Sequence, residues 1–203
     1  MSHVVCIGAG QASLSCAAKL RAMGFAGAIT LIGDEPYLPY QRPPLSKKYL
    51  TGEMDAERLL LKPAEWYREQ NVTCRTGLRV TGIDRAAKTV SLSTGEAVPY
   101  DALLLATGST PRKLPSSVTH DLAGLHVVRG MADIDGLARE FRAGAKVLVV
   151  GGGYIGLEAA SVAAKQGMQV TIIEAASRIL ERVACKETAD YFVALHRGHG
   201  VTI

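Results

Sequence analysis

Closely spaced cysteines are absent from this sequence. The chain has 203 residues and only four cysteines, of which no two lie closer than ten positions: Cys6, Cys16, Cys74 and Cys185. Neither a CxxC pair nor a zinc-type ligand spacing is therefore present. Cys6 and Cys16 lie in apolar segments and are interpreted as small buried hydrophobic residues. No metal site is predicted.

Long runs of one kind of residue are also missing. The net charge is +4 and no five like charges follow one another, so nucleic-acid binding is not expected. Glycines interrupt the longest apolar runs below the roughly 18 residues of a membrane span. The N-terminus enters a strand-like run without the charged and apolar regions of a signal peptide. These absences predict a cytoplasmic protein with neither a nucleic-acid nor a membrane partner.

What the chain does have is a repeated α/β pattern. Hydrophobic residues make up 48% and glycines number 21, whereas aromatic residues make up 5%, a mix that suits an α/β protein. Residues 3–8 predict a strand, SLSCAAKLRAMG a helix, and 28–35 a second buried strand. The pattern returns with a strand over 145–150, the turn GGGYIG, the helix LEAASVAAKQG and a strand over 168–174. An internal duplication of a βαβ unit is predicted.

The residues between the two copies have a different character. A short helix over 62–70 is predicted to begin near Pro63 and to pack Trp66 and Tyr67 on the sheet. Residues 72–106 contain short β-rich runs with a hairpin turn at STGE, and the apolar run ALLLATG predicts a fully buried strand. The predicted fold is α/β, with two Rossmann-like dinucleotide-binding βαβ units and a β-meander in the first. His196 and His199 are interpreted as solvated polar residues rather than metal ligands.

The chemical signal is a glycine turn followed by an acid in each copy. The turns comprise Gly8, Gly10 and Ser13 in the first copy and Gly151, Gly153 and Gly156 in the second. The first glycine allows the tight turn, the second lets the backbone approach a pyrophosphate, and the third lets the helix pack closely. The helix N-terminus then offers free N–H groups to the phosphates. Asp34, or its neighbour Glu35, and Glu174 are the acids expected to meet a ribose.

Two dinucleotide sites in one chain predict two dinucleotides. The usual reason for such a pair is hydride transfer from a soluble nicotinamide to a bound flavin. Glu174 would repel a 2′-phosphate, and the first cation after it is Arg178. NADH is therefore expected in preference to NADPH.

A stiffened, positively charged loop follows the first βαβ unit. The stretch PYQRPPLSKKYL places Arg42 and Lys47 on either side of Pro43 and Pro44. Each proline ring fixes φ and removes an N–H donor, so the stretch can be neither a helix interior nor a central strand.

On GAGQAS, LPYQRPPLSK, LLLATGSTPR and VVGGGYIGLEAA, the sequence resembles the flavoprotein pyridine nucleotide–disulfide oxidoreductases. Within them it is similar to the NADH-dependent ferredoxin reductases of cytochrome P450 and dioxygenase systems, the putidaredoxin-reductase and rubredoxin-reductase type. The resemblance implies an enzyme with FAD and NADH as cofactors and a [2Fe–2S] ferredoxin as partner. It also implies an FAD-binding domain over 1–113 and an incomplete NAD-binding domain over 114–203, so an N-terminal fragment is expected.

The resemblance also implies roles for individual residues. The FAD contacts would be Gly8, Gly10, Ala12, Asp34, Arg42, Lys47, Val80 and Arg129. The NAD contacts would be Gly151, Gly153, Tyr154, Ile155, Gly156 and Glu174, with Tyr154 beside the nicotinamide. Lys47 and Glu158 would form a pair at the reactive edge of the flavin and are the expected catalytic residues.

One departure from the disulfide reductases of this superfamily matters for the electron acceptor. Those relatives carry a CxxxxC pair after the first βαβ unit, and this sequence has no cysteine there. Electrons are therefore expected to leave singly, to an iron–sulfur protein. An alternative is the apoptosis-inducing-factor type of flavoprotein, which shares LPYxRPPLSK and acts through NADH-linked dimerisation and protein partners. It is less favoured because no mitochondrial targeting segment is seen.

Overall fold

The computed structural model describes residues 2–120 and 122–203. The strands are β1 (His3–Ile7), β2 (Ala28–Ile32), β3 (Val72–Arg75), β4 (Val80–Asp84), β5 (Thr89–Leu92), β6 (Ala97–Pro99), β7 (Ala102–Leu105), β8 (Lys146–Val150) and β9 (Gln169–Ile173). The helices are α1 (Gln11–Ala22), α2 (Ala56–Leu59), α3 (Ala64–Glu69), α4 (Ser116–Thr119), α5 (Met131–Ala138), α6 (Tyr154–Lys165) and α7 (Lys186–Gly198), and a 3-10 turn spans Pro43–Ser46. In this described part, no helix is both long and apolar enough to cross a membrane.

The chain forms two compact units. The first comprises the residues up to Gln41 together with Glu57–Thr110. The second comprises Arg42–Ala56 together with the residues from Pro111 to the end. The segment 42–50 of the stretch PYQRPPLSKKYL, called the proline loop below, thus groups with the second unit, although it follows β2 of the first unit in the sequence.

The first unit is built on a parallel sheet with the strand order β3-β2-β1-β7. A separate antiparallel sheet, β4-β5-β6, is the predicted β-meander. Alternate residues of β1 face opposite sides, as a strand requires. Val4 and Cys6 lie in a cluster with α1 and α3 residues, and Val5 and Ile7 lie in a cluster with β5 and β6 residues. The parallel sheet is therefore covered by helices on one face and by the meander on the other.

The helices of the first unit are placed by their apolar faces. Leu14 and Ala17 of α1 are buried against the sheet. Tyr67 of α3 is buried in the same cluster with Trp66 packed beside it, so the predicted packing of these two aromatics is confirmed.

The predicted full burial of the ALLLATG strand is wrong. Residues of β7 are only half-buried, and Leu105 is 62% exposed. The reason is the position of β7 at the edge of the sheet, where β1 is its one paired strand among the described residues. A fully buried strand lies inside a sheet that is covered on both faces.

The second unit is built on the parallel pair β8–β9, with Val147 opposite Val170. Leu157, Ala160 and Ala163 of α6 pack on this pair in one core cluster. Residue Thr202 forms a parallel bridge to Thr171, where the predicted third strand begins.

The predicted solvation of His196 is wrong. This histidine is 8% exposed, because it lies on the face of α7 that contributes Ala189 to the core. Burial, and secondarily the neighbouring His199, lower the pKa of His196, so it is neutral at pH 7.

Candidate functional site

The first glycine turn leads from β1 into α1. Gly8 follows the strand with φ of 110°, and its N–H donates to the carbonyl of Ile32 at 2.7 Å. Gly10 is the N-cap of α1, and no side chain of the described residues caps it. The N–H groups of the first helical turn therefore stay available to an anion.

The space available around the first turn differs between its glycines. A Cβ on Gly8 would lie 2.1 Å from the carbonyl oxygen of Ala106, and one on Gly33 would lie 2.5 Å from Cβ of Ala9. A Cβ on Gly10 would meet nothing within 4 Å. The backbone at Gly10 is thus open on the side that a pyrophosphate has to approach.

A cavity of about 290 Å³ lies at this edge of the first unit. It brings together three of the predicted FAD contacts, Gly8, Asp34 and Val80, and Thr107 to Thr110 lie beside them. Ala12, another predicted FAD contact, is the second residue of α1 and is exposed. A cavity at the carboxyl ends of parallel strands is the expected place for a dinucleotide.

The acids after β2 both have partners. Asp34 accepts a hydrogen bond from Arg79 at 2.7 Å, in a pair whose side chains are 53% and 71% exposed. Glu35 accepts from the hydroxyl of Tyr40 at 2.5 Å. An exposed ion pair is weakly held, so the Asp34 carboxylate can exchange Arg79 for another partner.

The second glycine turn leads from β8 into α6 in the same way. Gly151 has φ of 108°, and Gly153 is the N-cap of α6 without a side-chain cap among the described residues. A Cβ on Gly156 would lie 2.1 Å from the carbonyl oxygen of Gly151. Tyr154 and Ile155, at the start of α6, are 58% and 56% exposed.

Glu174 follows β9 and turns back to the second glycine turn. It accepts hydrogen bonds from the N–H of Gly152 at 2.7 Å and of Ala176 at 2.8 Å. The bonds from Ala176 and Gly152 lower the pKa of the Glu174 carboxyl. A fixed negative charge therefore lies beside the turn at neutral pH.

Arg42 and Lys47 of the proline loop have separate partners in the second unit. Lys47 Nζ donates to Glu158 Oε2 of α6 at 2.7 Å, and Ser46 Oγ donates to the same oxygen at 2.8 Å. Arg42 donates to the carbonyl oxygen of Arg129 at 2.7 Å. The structure thus brings Lys47 to Glu158 and Arg42 to Arg129, which are predicted site residues far apart in the sequence.

The environment of Glu158 keeps its carboxyl ionised. Burial raises the pKa of Glu158, but hydrogen bonds from Lys47 and Ser46 outweigh burial, so the pKa lies below its ordinary value. Glu158 also lines a cavity of about 530 Å³ between α6 and α7. The titratable neighbours in that cavity are Tyr154, Lys165, His196 and His199.

Two residues of these sites were missed by sequence reasoning. Arg79 pairs with Asp34 and Ser46 donates to Glu158. The sequence holds only a weak signal for either, since each is next to a predicted contact, Val80 or Lys47. The described residues contain no cluster of three or more possible metal ligands.

The two glycine turns agree with the protein family that the sequence matches. Residues 2–203 match the family described as pyridine nucleotide-disulphide oxidoreductase, and the chain belongs to that family. It is 44% identical over 200 residues to the ferredoxin–NAD(P)(+) reductase fdr of Sphingomonas sp, covering 98% of this chain and 48% of that protein. It is 42% identical over 198 residues to rhodocoxin reductase of Rhodococcus erythropolis, covering 98% and 46%.

A solved structure shows the same fold. The reductase in the crystal structure of the covalent putidaredoxin reductase–putidaredoxin complex superposes with a TM-score of 0.94 at 41% identity, covering 100% of this chain and 49% of that one. The α/β dinucleotide-binding fold predicted from the sequence is confirmed. The chain spans about half the length of the relatives that it matches.

Proposed function

We propose that the protein is an FAD-dependent oxidoreductase that passes electrons from NADH to a [2Fe–2S] ferredoxin. The observation that carries this proposal is the presence of two uncapped helix N-termini, each behind a glycine turn at the carboxyl end of a parallel strand pair. Relatives named as reductases of ferredoxin and rhodocoxin support the electron acceptor.

The two sites divide between the cofactors in this proposal. We assign residues 1–113 to the FAD-binding domain and 114–203 to an incomplete NAD-binding domain, although Arg42–Ala56 groups with the second compact unit. Gly8, Gly10, Ala12, Asp34 and Val80 hold the adenosine diphosphate part of FAD. Open space at the Gly10 Cβ and the adjoining cavity support this fit.

The second site takes NADH in the same manner. Gly151, Gly153 and Gly156 form its turn, Ile155 and Tyr154 begin its helix, and Glu174 meets the ribose. The exposure of Tyr154 supports a contact with the nicotinamide. Arg42 and Arg129, joined by a hydrogen bond, lie at the flavin.

FAD, when bound, supplies the two-electron acceptance and one-electron release that no side chain offers. The chain supplies alignment and charge. Lys47 would offset negative charge on a bound flavin, and Glu158, 2.7 Å from Lys47 Nζ, would hold the lysine in place for that role. Neither a nucleophile nor a general acid is required.

The cysteines support an external acceptor. All four are free, and burial raises the pKa of Cys6 to about 12 and that of Cys74 to about 11. Cys6 is buried and Cys74 partly buried, and thiols with a raised pKa are poor nucleophiles at neutral pH. Free thiols are also usual in the cytoplasm, and we assign the protein to that compartment.

Electron transfer is tested by adding NADH anaerobically to the flavin-loaded protein. The visible absorbance of the flavin should bleach and should return on addition of an oxidised [2Fe–2S] ferredoxin, but not on addition of a disulfide. Bleaching without reoxidation by ferredoxin would contradict the acceptor. NADH-dependent dimerisation without any electron transfer would favour the apoptosis-inducing-factor alternative.

NADH is expected to bind about tenfold or more tightly than NADPH. The cause is the ionised Glu174, since a 2′-phosphate placed beside it meets a like charge, and an interaction of about 1.4 kcal/mol is a tenfold change in affinity. Titration calorimetry with both nucleotides measures the ratio. In Glu174→Gln the ratio should fall towards one, whereas Glu181→Gln, an acid further along, should leave it unchanged.

A further inference from the structure

Ser46 is a buried polar residue at the end of the 3-10 turn. It is 5% exposed, and its Oγ donates to Glu158 Oε2 at 2.8 Å. The turn packs against α6, which carries Glu158. A buried hydroxyl needs a hydrogen-bond partner, and in this protein the partner is a carboxylate 112 positions away.

Lys47 donates to the same oxygen, but its side chain is held differently. The Lys47 and Glu158 side chains are 46% and 36% exposed. An exposed ion pair holds its long side chains weakly, and lysine loses much rotamer freedom when it is fixed. Serine loses little freedom, because a single rotatable bond places its Oγ. A carboxylate oxygen can accept from both donors at once.

We propose that Ser46 is a positioning residue that holds the Glu158 carboxylate in place independently of Lys47. This inference rests on the proposed function for its consequence. If Lys47 turned from Glu158 towards a bound flavin, the carboxylate would then stay in position. A carboxylate held by Lys47 alone would lose its orientation whenever the lysine moved.

The protonation of Glu158 reports this anchoring directly. Its titratable neighbours are Lys47 on the loop, Tyr154 and Lys165 on α6, and His196 and His199 on α7. Of the charges on the described residues, Lys47 is the one in ion-pair contact with it. The folded pKa of Glu158 lies below its ordinary value. The hydrogen bonds of Lys47 and Ser46 to Glu158 therefore stabilise the folded protein fully at pH values above the ordinary pKa of a glutamate. This stabilisation is lost as the pH falls through the folded pKa of Glu158.

The test is a titration of Glu158 by carbon-13 NMR, with Glu158→Gln to identify its signal. Lys47→Met should raise the pKa of Glu158, and Ser46→Ala in the Lys47→Met background should raise it further. Ser46→Thr in that background keeps the hydroxyl and should restore the Lys47→Met value. A general loss of structure would not be rescued in this way.

A matched control uses Ser161, which lines the same cavity one helical turn along α6. Ser161→Ala in the Lys47→Met background should leave the titration unchanged. An identical pKa in Lys47→Met with and without Ser46→Ala would overturn the proposal. If that double variant fails to fold, equal pKa values in Ser46→Ala and Ser46→Thr alone would overturn it.

The titration is made on protein without flavin or NADH. Its outcome is therefore separate from the electron-transfer test. If NADH failed to bleach the flavin, the proposed movement of Lys47 towards the flavin would lose its support. The proposal that Ser46 anchors Glu158 would be unaffected.

Discussion

Gly8→Ala is expected to destabilise the first unit by about 2–5 kcal/mol, combining a positive-φ cost of roughly 1–2 kcal/mol with an overpacking cost of roughly 1–3 kcal/mol. Gly8 has φ of 110°, and its added Cβ would lie 2.1 Å from the Ala106 carbonyl oxygen. A backbone oxygen cannot rotate away. It lies next to the N–H of Ala106 that donates to Ile7 at 2.8 Å, so relief of the contact also disturbs the pairing of β1 with β7.

The equivalent residue of the second copy is the matched control. Gly151 has φ of 108°, but a Cβ on it would meet nothing within 4 Å. Gly151→Ala should therefore show only the positive-φ cost. Urea unfolding followed by circular dichroism measures both variants, and fluorescence of Trp66, the single tryptophan, reports the first unit. Equal losses in the two variants would contradict the steric argument.

Gly10→Ala separates flavin binding from folding. Its Cβ has open space and its φ of −119° suits alanine, so the variant should fold with little loss of stability. Under the proposed function the methyl group lies where the pyrophosphate approaches, and FAD affinity should fall at least tenfold. Flavin fluorescence during titration measures this loss. Unchanged affinity would place the pyrophosphate elsewhere.

Gly156→Ala is expected to force α6 away from β8. Its Cβ would lie 2.1 Å from the Gly151 carbonyl oxygen and 3.2 Å from Val149 Cγ1. Overpacking of a well-packed contact costs about 1–3 kcal/mol or more. The shift also moves the first N–H groups of α6, so NADH binding should be lost together with stability.

The control for Gly156→Ala is Gly153→Ala. A Cβ there meets nothing within 4 Å, so stability should stay close to that of the original protein while NADH affinity falls. Circular dichroism measures the first quantity and titration calorimetry the second. If Gly156→Ala kept full stability, the close approach of α6 to the turn would not be needed.

The sequence predicts local structure well because glycine turns and apolar periodicity act over a few residues. Both βαβ units, the helix at Trp66 and the β-meander were predicted from such patterns. The first copy also shows the limit of the pattern, since Ser13 takes the third glycine position and is fully buried. Serine fits there, whereas a Cβ at Gly156 does not, and this difference comes from three-dimensional spacing.

What could not be predicted depends on residues distant in the chain. The exposure of Leu105 follows from the edge position of β7, and the burial of His196 follows from how α7 packs. Arg79 meets Asp34, and Ser46 meets Glu158, only once the backbone is folded. Their positions next to Val80 and Lys47 are only a weak local signal for such partners.

The order of synthesis gives the Lys47–Glu158 contact a further consequence. The two residues are 111 positions apart, so at about 5–20 residues per second the ribosome makes Glu158 roughly 6–22 s after Lys47. During that interval the charged loop has been made and its partner helix has not. Pro43 and Pro44 restrict its backbone meanwhile, which limits the wrong contacts that a nascent chain can make before α6 is available.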